Sequence, residues 1–384
     1  PSHRANIPMR IVVPKEHTPL DGRVAMTPQA IKRLASDEIQ FAVESGAGLG
    51  ASFTDEEYRE VGAEIVQDVA ALFEGADVVM KINGPVKRED GTDEVELIPS
   101  GALFLAQMRP HENADVLSRL AERGVTSFSM ELMPRTTLAQ RMDCLSAFST
   151  VAGYMAVIRG AEAGSKFFPM LTTAAGTIPP AHVFIIGAGV AGLQAIATAR
   201  RLGAVVEGFD IRPETKEQVQ SLGATFVEWE EASDAMQTEG GYAKEVSAEE
   251  EERERQLLAE HIAMSDVVVT TALVPGRPAP KLISEDMVKG MKPGSVIVDL
   301  AAETGGNCEL TVKGETVVRH GVQILGQTDL AASLPVHGSL MYGRIVSVLL
   351  QHIMDDEGKI VIDLDEEITA GITVTHDGNV RYQQ

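Results

Sequence analysis

The chain has 384 residues, enough for two domains, and its 44% hydrophobic and 23% charged residues form an ordinary globular balance that excludes intrinsic disorder and collagen-like repeats. Its formal net charge of −23 makes the chain a poor prospect for binding nucleic acid, because phosphate binding depends on Lys and Arg, and we expect no nucleic-acid partner; such a chain could still suit a basic protein surface. Cys144 and Cys308 are the only cysteines, so a disulfide framework and a thiolate zinc site are excluded; we predict no metal site and a reducing, cytoplasmic compartment.

No run of about 18 uninterrupted apolar residues occurs, so we expect no transmembrane segment in this chain. The N-terminal residues 1–8 lack the apolar core of a signal peptide. The most apolar region, 183–199, is interrupted by glycines and a glutamine, which is typical of a strand, a tight turn and a helix.

Short apolar segments alternate with helical ones through the first half of the chain. Helices are predicted over 28–34 and 113–123, and strands over 11–13, 41–43, 78–80 and 103–105. This alternation predicts a parallel sheet with helices on both faces. A long helix over 146–167 follows, and it is long enough to link two domains.

A second alternating series begins at Ala181, with strands predicted over 183–186, 205–209, 267–270, 296–300 and 322–325. The polar stretch 228–252 interrupts the series, and a connection of this length is typical of a functional flap or a disordered excursion. An apolar helix over 339–354 is expected to return to the N-terminal domain, and 360–380 alternates like short strands.

These elements predict an α/β protein with two Rossmann-like, doubly wound parallel-sheet domains joined by long linking helices. Residues 1–145 plus 330–384 are expected to form an N-terminal α/β domain that the C-terminal helix completes. Residues 146–329 are expected to form a dinucleotide-binding domain that the long helix enters.

A glycine motif lies between the strand over 183–186 and a helical segment over 193–202, and it reads Gly187-Ala188-Gly189-Val190-Ala191-Gly192. In a Rossmann domain the first glycine permits the tight turn, the second lets the backbone approach a pyrophosphate, and the third lets the helix pack closely on the strand. The pyrophosphate sits on the free N–H groups at the helix start. The alternative is a purely structural turn.

Asp210 ends the next strand and is followed by Ile211 and Arg212, and we predict that all three contact the nucleotide. A carboxylate here can accept both ribose hydroxyls and repels a 2′-phosphate, which favours NAD(H). Arg212 is a contrary signal, because an arginine at this place can hold a 2′-phosphate. We expect it to pair instead with Asp210 or with the diphosphate.

A dehydrogenase of hydroxy or amino acids needs a proton acceptor and cations for the substrate carboxylate. Arg23 and Lys81 are candidates for a carboxylate clamp, or they are structural ion-pair residues. None of the nine histidines is an obvious base: His111 is typical of a solvated helix start, and His182 opens a strand.

Three segments resemble the alanine dehydrogenase superfamily: 15–28, the segment around Lys81, and 298–307. In that enzyme a histidine follows the strand after the lysine segment, whereas residues 103–108 contain none here. Glu303 stands where the family carries a catalytic aspartate. The missing proton-transfer pair argues against amino-acid oxidation.

A closer resemblance, over almost the full length, is to the NAD(H)-binding components of proton-translocating nicotinamide nucleotide transhydrogenases. Residues 130–146 are similar to that family's Arg–Gln–Asp loop, 240–245 to its mobile loop, and 270–280 to a further segment from which we predict Ala272 and Val274 as cofactor contacts. The resemblance implies hydride transfer between NAD(H) bound here and NADP(H) on a partner component, coupled to proton translocation by a membrane component. It also implies a homodimer at the cytoplasmic face of the inner membrane.

Transfer of a hydride between two nicotinamides moves no substrate proton at the reacting carbons, so it needs no general base. It needs two C4 atoms about 3–3.5 Å apart. Arg135 can hold a phosphate or ribose oxygen, and Asp143 and Ser146 can hydrogen-bond a carboxamide. The resemblance implies that Gln140 bridges toward the ribose of the second nucleotide. The alternatives are a helix-capping pair for Gln140 and Asp143, and a surface ion pair for Arg135.

Tyr242 follows two glycines in the long polar stretch, and we predict that it closes as a lid over bound NADH. The alternative is a disordered loop in which this tyrosine has no role.

Two rival functions remain open at this point. One is an NAD-dependent alanine dehydrogenase, which would oxidise alanine without a second nucleotide. The other is a non-catalytic NAD-binding protein, which would bind NADH and accelerate no hydride transfer.

Overall fold

A computed structural model describes residues 8–36, 38–228, 248–274, 276–328, 330–355 and 357–382, with the side chains of 248–251 left undescribed. It divides the chain into two compact units. Unit 1 comprises Pro1–Phe148 and Ala332–Gln384, and unit 2 comprises Ser149–Ala331.

Unit 1 contains an eight-stranded sheet. Its strands are β1 Met9–Val13, β2 Ile39–Glu44, β3 Glu64–Val66, β4 Val78–Asn83, β5 Leu103–Gln107, β6 Thr126–Ser129, β16 Thr373–His376 and β17 Asn379–Val380. The six N-terminal strands are parallel in the order β3-β2-β1-β4-β5-β6, and β16 and β17 extend the β6 edge in antiparallel fashion. The order 3-2-1-4-5-6 is that of a Rossmann sheet.

The helices of unit 1 are α1 Pro28–Leu34, α2 Asp55–Glu60, α3 Val69–Phe73, α4 Glu94–Leu97, α5 Ala114–Glu122, α11 Pro335–Ile353 and α12 Glu367–Ile372. Local chemistry explains where several begin. Thr27 accepts the Ala30 N–H at the start of α1, and Thr54 and Glu57 form a capping box on α2. Buried strands such as β1 are nearly continuous apolar runs, as expected for a sheet covered on both faces.

Helix α11 packs within unit 1 through a buried polar and aromatic seam. Tyr342 is fully buried, its hydroxyl donates to the carbonyl of Lys81 at 2.8 Å, and its ring stacks on Phe148 at 5.7 Å. The helix begins four residues earlier than predicted because Pro335 is well suited to a first helical turn. Residues 367–372 form α12 rather than a strand, because Glu366 caps their free N–H groups.

Unit 2 holds the second Rossmann sheet, with strands β9 His182–Ile186, β10 Val205–Phe209, β11 Thr225–Phe226, β12 Val267–Thr270, β13 Val296–Asp299, β14 Thr316–Arg319 and β15 Val322–Leu325. The order is β11-β10-β9-β12-β13-β15-β14, parallel except for β14. Its helices are α7 Val190–Arg201, α8 Thr215–Ser221, α9 Ala248–Met264 and α10 Glu285–Gly290, and a separate hairpin pairs β7 Leu171–Thr173 with β8 Gly176–Ile178. The predicted fold class is confirmed in both units.

Helix α6, Cys144–Ala163, begins in unit 1 and continues in unit 2. It begins two residues before the predicted start at residue 146 and ends four residues before the predicted end at residue 167. Among the described residues it alone is long and apolar enough to cross a membrane by length and composition. Core helices of globular proteins have the same length and composition. Within unit 2, its Gly153 and Gly160 lie so close to Ala191 and Val267 that a Cβ on either would clash.

Candidate nucleotide-binding site

The glycine loop of unit 2 lies at the point where the strand order reverses. It follows β9, whose neighbours β10 and β12 lie on opposite sides of it in the sheet, and ligands of such sheets bind at this crevice. Gly187 has φ +100°, a left-handed conformation that favours glycine, and its N–H donates to the Phe209 carbonyl at 2.8 Å. Helix α7 begins directly after Gly189, so its first N–H groups face this end of the sheet.

The second and third glycines differ in what surrounds them. A Cβ built on Gly192 would lie 1.7 Å from the Gly187 carbonyl oxygen, so this glycine allows the helix to touch the turn. A Cβ built on Gly189 would meet nothing within 4 Å. That open space beside a helix N-terminus fits a pyrophosphate approaching the backbone.

Asp210 lies against the glycine loop. Its Oδ2 accepts the Ala188 N–H at 2.7 Å, and its side chain is only 6% exposed. Arg212 pairs with this carboxylate: its Nε donates to Oδ1 and its Nη2 to Oδ2, both at 2.9 Å. These hydrogen bonds raise the pKa of the Arg212 guanidinium. Of the two pairings expected from the sequence, the structure contains the one with Asp210, and Ile211 is half-buried between the two residues.

The segment after β12 lies beside the glycine loop. The Thr271 hydroxyl is 3.2 Å from the Gly187 carbonyl, and the Ala272 N–H donates to Asn307 Oδ1 at 3.1 Å. Asn307 is fully buried, and its amide also donates to the carbonyls of Ala272 and Pro280. Val274 is half-buried in this segment. Sequence reasoning missed Thr271 and Asn307 as supports of the site.

Asp299, at the end of β13, fixes the loop that carries Asn307. Its carboxylate accepts the N–H groups of Ala301 and Cys308 at 3.0 Å and the hydroxyls of Thr270 and Thr311 at 3.1 and 2.6 Å. The signal in the sequence was an acid at a strand end followed by Gly305-Gly306-Asn307.

In unit 1, the loop predicted to serve the nicotinamide presents two exposed polar side chains. Arg135 and Gln140 are exposed, and neither makes a side-chain hydrogen bond with any residue that the structure describes. Gln140 lies on a short 3₁₀ helix, Ala139–Met142. The surface ion pair considered for Arg135 is not present among these residues.

Asp143 caps the start of α6. Its Oδ1 accepts the Ser146 N–H at 3.0 Å, and its Oδ2 accepts the Ser146 hydroxyl. The capping contact thus joins Asp143 to Ser146 rather than to the Gln140 side chain. These two hydrogen bonds hold both predicted carboxamide ligands in one fixed arrangement. The Asp143 carboxylate can still accept further hydrogen bonds, because its two oxygens together offer about four acceptor sites.

The candidate carboxylate clamp of unit 1 is already neutralised by the chain itself. Lys81 is fully buried and its Nζ lies 2.6 Å from Glu94, while Arg23 pairs with Asp21 at 2.6 Å. The structural ion-pair interpretation therefore applies to both cations.

The crevice between β1 and β4, the reversal point of the unit 1 sheet, is occupied by a carboxylate of the chain. Glu16 is 6% exposed and accepts the Ile82 N–H at 2.7 Å and the Asn83 amide at 3.0 Å. Burial raises the pKa of Glu16, an effect that the nearby Lys81 charge opposes. Strand β5 ends without a histidine, and the Met108 that follows is 1% exposed.

Tyr242 and the rest of 229–247 lie outside the described residues, as does Pro275. The predicted lid therefore stays a prediction.

Comparisons with known proteins cover nearly the whole chain. Family models described as alanine dehydrogenase/PNT match residues 12–152 (N-terminal domain) and 156–383 (C-terminal domain). An NAD(P) transhydrogenase subunit alpha polypeptide of Rhodospirillum rubrum is 46% identical, with 97% of each chain covered. The crystal structure of transhydrogenase from Sinorhizobium meliloti matches with a TM-score of 0.87 and 42% identity, covering 97% of this chain and 99% of that one. An alanine dehydrogenase of Methanococcus maripaludis is 31% identical over 78% of this chain and 74% of its own.

Proposed function

The chain belongs to the alanine dehydrogenase/PNT family as an NAD(P) transhydrogenase alpha subunit, and on this premise we propose that it binds NAD(H) and exchanges a hydride with NADP(H) held by a partner component. The observation that carries the proposal is the contact between Asp210 and the Ala188 N–H, which sets an acid for the ribose beside an open glycine loop.

The residues of unit 2 fit one half of a dinucleotide. We propose that the pyrophosphate is held by the N–H groups of the loop 187–192 and that Asp210 accepts the adenosine ribose hydroxyls. Ile211, Ala272, Val274 and Tyr242 are proposed to line the same pocket. The bound nucleotide supplies the hydride, and the chain supplies position and orientation.

The loop of unit 1 is proposed to serve the nicotinamide end. Arg135, exposed and without a described partner, has a full fork of donors for a phosphate or ribose oxygen. The Asp143–Ser146 pair is proposed to hold the carboxamide and so to select one ring face. Gln140, also exposed, is proposed to reach the ribose of the second nucleotide.

The buried ion pairs of unit 1 favour transhydrogenation over alanine oxidation. Lys81 and Arg23 are paired with Glu94 and Asp21, so both positive charges are already balanced by carboxylates of the chain itself. Hydride transfer between two pyridine rings needs neither these cations nor a general base, so the same arrangement is compatible with it.

We further propose an NADP(H)-binding component and a proton-conducting membrane component as partners, with this chain as a homodimer at the cytoplasmic face of the membrane. Cytoplasmic loops of membrane proteins are rich in Lys and Arg, and the net charge of −23 complements them. Leu138, close to Gln140, is 63% exposed and offers an apolar contact to a docking component.

Replacing Gln140 by asparagine is expected to slow hydride transfer and leave NADH binding unchanged. Asparagine is shorter by one methylene, so its amide group would lie farther from the ribose of the second nucleotide. A misplacement of about 1 Å costs on the order of 100-fold in rate. Stopped-flow transfer from NADH to an NADP⁺-loaded partner component measures the rate, and fluorescence titration measures NADH binding.

The matched control is Gln220→Asn, an exposed glutamine of helix α8, which should transfer at the wild-type rate. If Gln140→Asn transferred the hydride at the wild-type rate, the proposed bridging role would be wrong. If it bound NADH more weakly, Gln140 would contact NADH rather than the second nucleotide.

A further inference from the structure

The ion pair between Asp210 and Arg212 uses the donors that a 2′-phosphate would need. The Arg212 side chain donates from Nε to Oδ1 and from Nη2 to Oδ2 of Asp210, both at 2.9 Å, and its backbone N–H donates to Oδ1 at 2.9 Å. With the Ala188 N–H on Oδ2, the carboxylate accepts four N–H groups, two on each oxygen. The Asp210 side chain is 6% exposed and that of Arg212 is 34% exposed.

The position of this pair matters for nucleotide choice. In Rossmann domains the acid at the end of the second strand faces the ribose 2′-hydroxyl, and an arginine nearby accommodates a 2′-phosphate. This chain has both residues, Asp210 at the end of β10 and Arg212 two positions later. Bidentate arginine contacts are the strong, directional kind for carboxylates and phosphates alike, so the two anions compete for one guanidinium.

We propose that Arg212 is a latent ligand for a 2′-phosphate, and that Asp210 keeps NADP(H) out of unit 2 both by repelling the phosphate and by holding the guanidinium that would bind it. This inference rests on the proposed function and adds a specificity-determining residue to it. Arg212 thus contributes nothing to NADP(H) binding while its guanidinium is paired with Asp210.

The test is Asp210→Asn alone and combined with Arg212→Gln. Asparagine keeps an acceptor for the Ala188 N–H but loses the charge that holds the guanidinium. In Asp210→Asn we expect the Kd for NADPH to fall at least tenfold and the Kd for NADH to rise. In Asp210→Asn/Arg212→Gln we expect most of the gain for NADPH to be lost, because only the relief of charge repulsion remains, while the Kd for NADH stays at the single-variant value.

Three further experiments control for the loss of one negative charge, for misfolding of the variant, and for the contribution of the nicotinamide half of the ligand. Asp286→Asn removes one negative charge at a 90%-exposed site of the same unit and should leave both affinities unchanged. Asp210→Ser is a second release variant should the asparagine form fold poorly, as judged by circular dichroism and melting temperature. Titration with 2′,5′-ADP against 5′-AMP isolates the 2′-phosphate from the nicotinamide half.

The inference would be overturned if Asp210→Asn and Asp210→Ser were properly folded and bound NADPH no more tightly than wild type does. An equal gain in the double variant would overturn it too, because charge removal alone would then explain the change. Failure of the proposed function is distinct: the wild-type chain would then not bind NADH.

Discussion

Replacing Gly192 by alanine is expected to weaken NADH binding roughly 100-fold. The added methyl group would lie 1.7 Å from the Gly187 carbonyl oxygen. Neither can move alone, because Gly187 lies in the turn at the end of β9 and residue 192 lies in the first turn of α7. Relief requires α7 to move away from the strand, which displaces the N–H groups proposed to hold the pyrophosphate. Overpacking costs about 1–3 kcal/mol and occasionally more, and a loss of about 3 kcal/mol in binding weakens affinity roughly 100-fold.

Two further substitutions sharpen this result. Gly290→Ala, at a helix end where an added Cβ meets nothing within 4 Å, should change neither stability nor binding. Gly189→Ala should leave the melting temperature near wild type, because its surroundings are equally open, yet weaken NADH binding by occupying the proposed pyrophosphate space. The account of the loop would be wrong if Gly192→Ala bound NADH as wild type does in a calorimetric titration.

Replacing Glu94 by alanine is expected to destabilise unit 1 more than most single changes would. The Glu94 carboxylate is fully buried, lies 2.6 Å from Lys81 Nζ, and accepts Arg88 Nε and the Val86 N–H at 3.0 Å. Its removal leaves the Lys81 ammonium buried without its carboxylate, whereas Arg88 keeps Glu44. Breaking one side of a buried ion pair costs about 3–5 kcal/mol, a large part of the roughly 5–15 kcal/mol that stabilises a typical domain.

Glu96→Gln is the matched control, because this neighbouring glutamate is 58% exposed and its pairs with Arg119 and Arg123 lie at the surface. Such pairs contribute about 0–1 kcal/mol. Urea unfolding followed by circular dichroism compares the midpoints of the two variants. Equal, small shifts would show that the Lys81–Glu94 pair is not the buried structural pair described above.

The sequence predicted most strongly what depends on short-range pattern. Strands β1, β4, β9, β10 and β12 are mostly apolar segments bounded by turns. Gly187, Gly192 and Asp210 follow from one motif with a known physical reason for each residue. The placement of Ala188 against Asp210 is the geometry that this motif requires.

What the sequence left open depends on contacts between distant segments. The sequence left open whether Lys81 binds a substrate carboxylate or forms a structural ion pair. The structure shows an ion pair with Glu94 at 2.6 Å, and the spacing of the two residues in the sequence does not reveal this contact. Asn307 supports Ala272 across a loop, which no local periodicity reveals. Strand β3 and the edge strand β14 have three and four residues and few buried side chains, so they carry little hydrophobic pattern.

The most direct test of the account follows the hydride itself. NADH carrying deuterium at both C4 positions is mixed with the chain and an NADP⁺-loaded partner component in ordinary water, and the NADPH formed is examined by mass spectrometry. We predict that every NADPH carries one deuterium and none has acquired hydrogen from water, and that the chain alone does not oxidise L-alanine with NAD⁺. NADPH labelled from the solvent, or steady oxidation of L-alanine by the isolated chain, would contradict direct transfer between two nicotinamides.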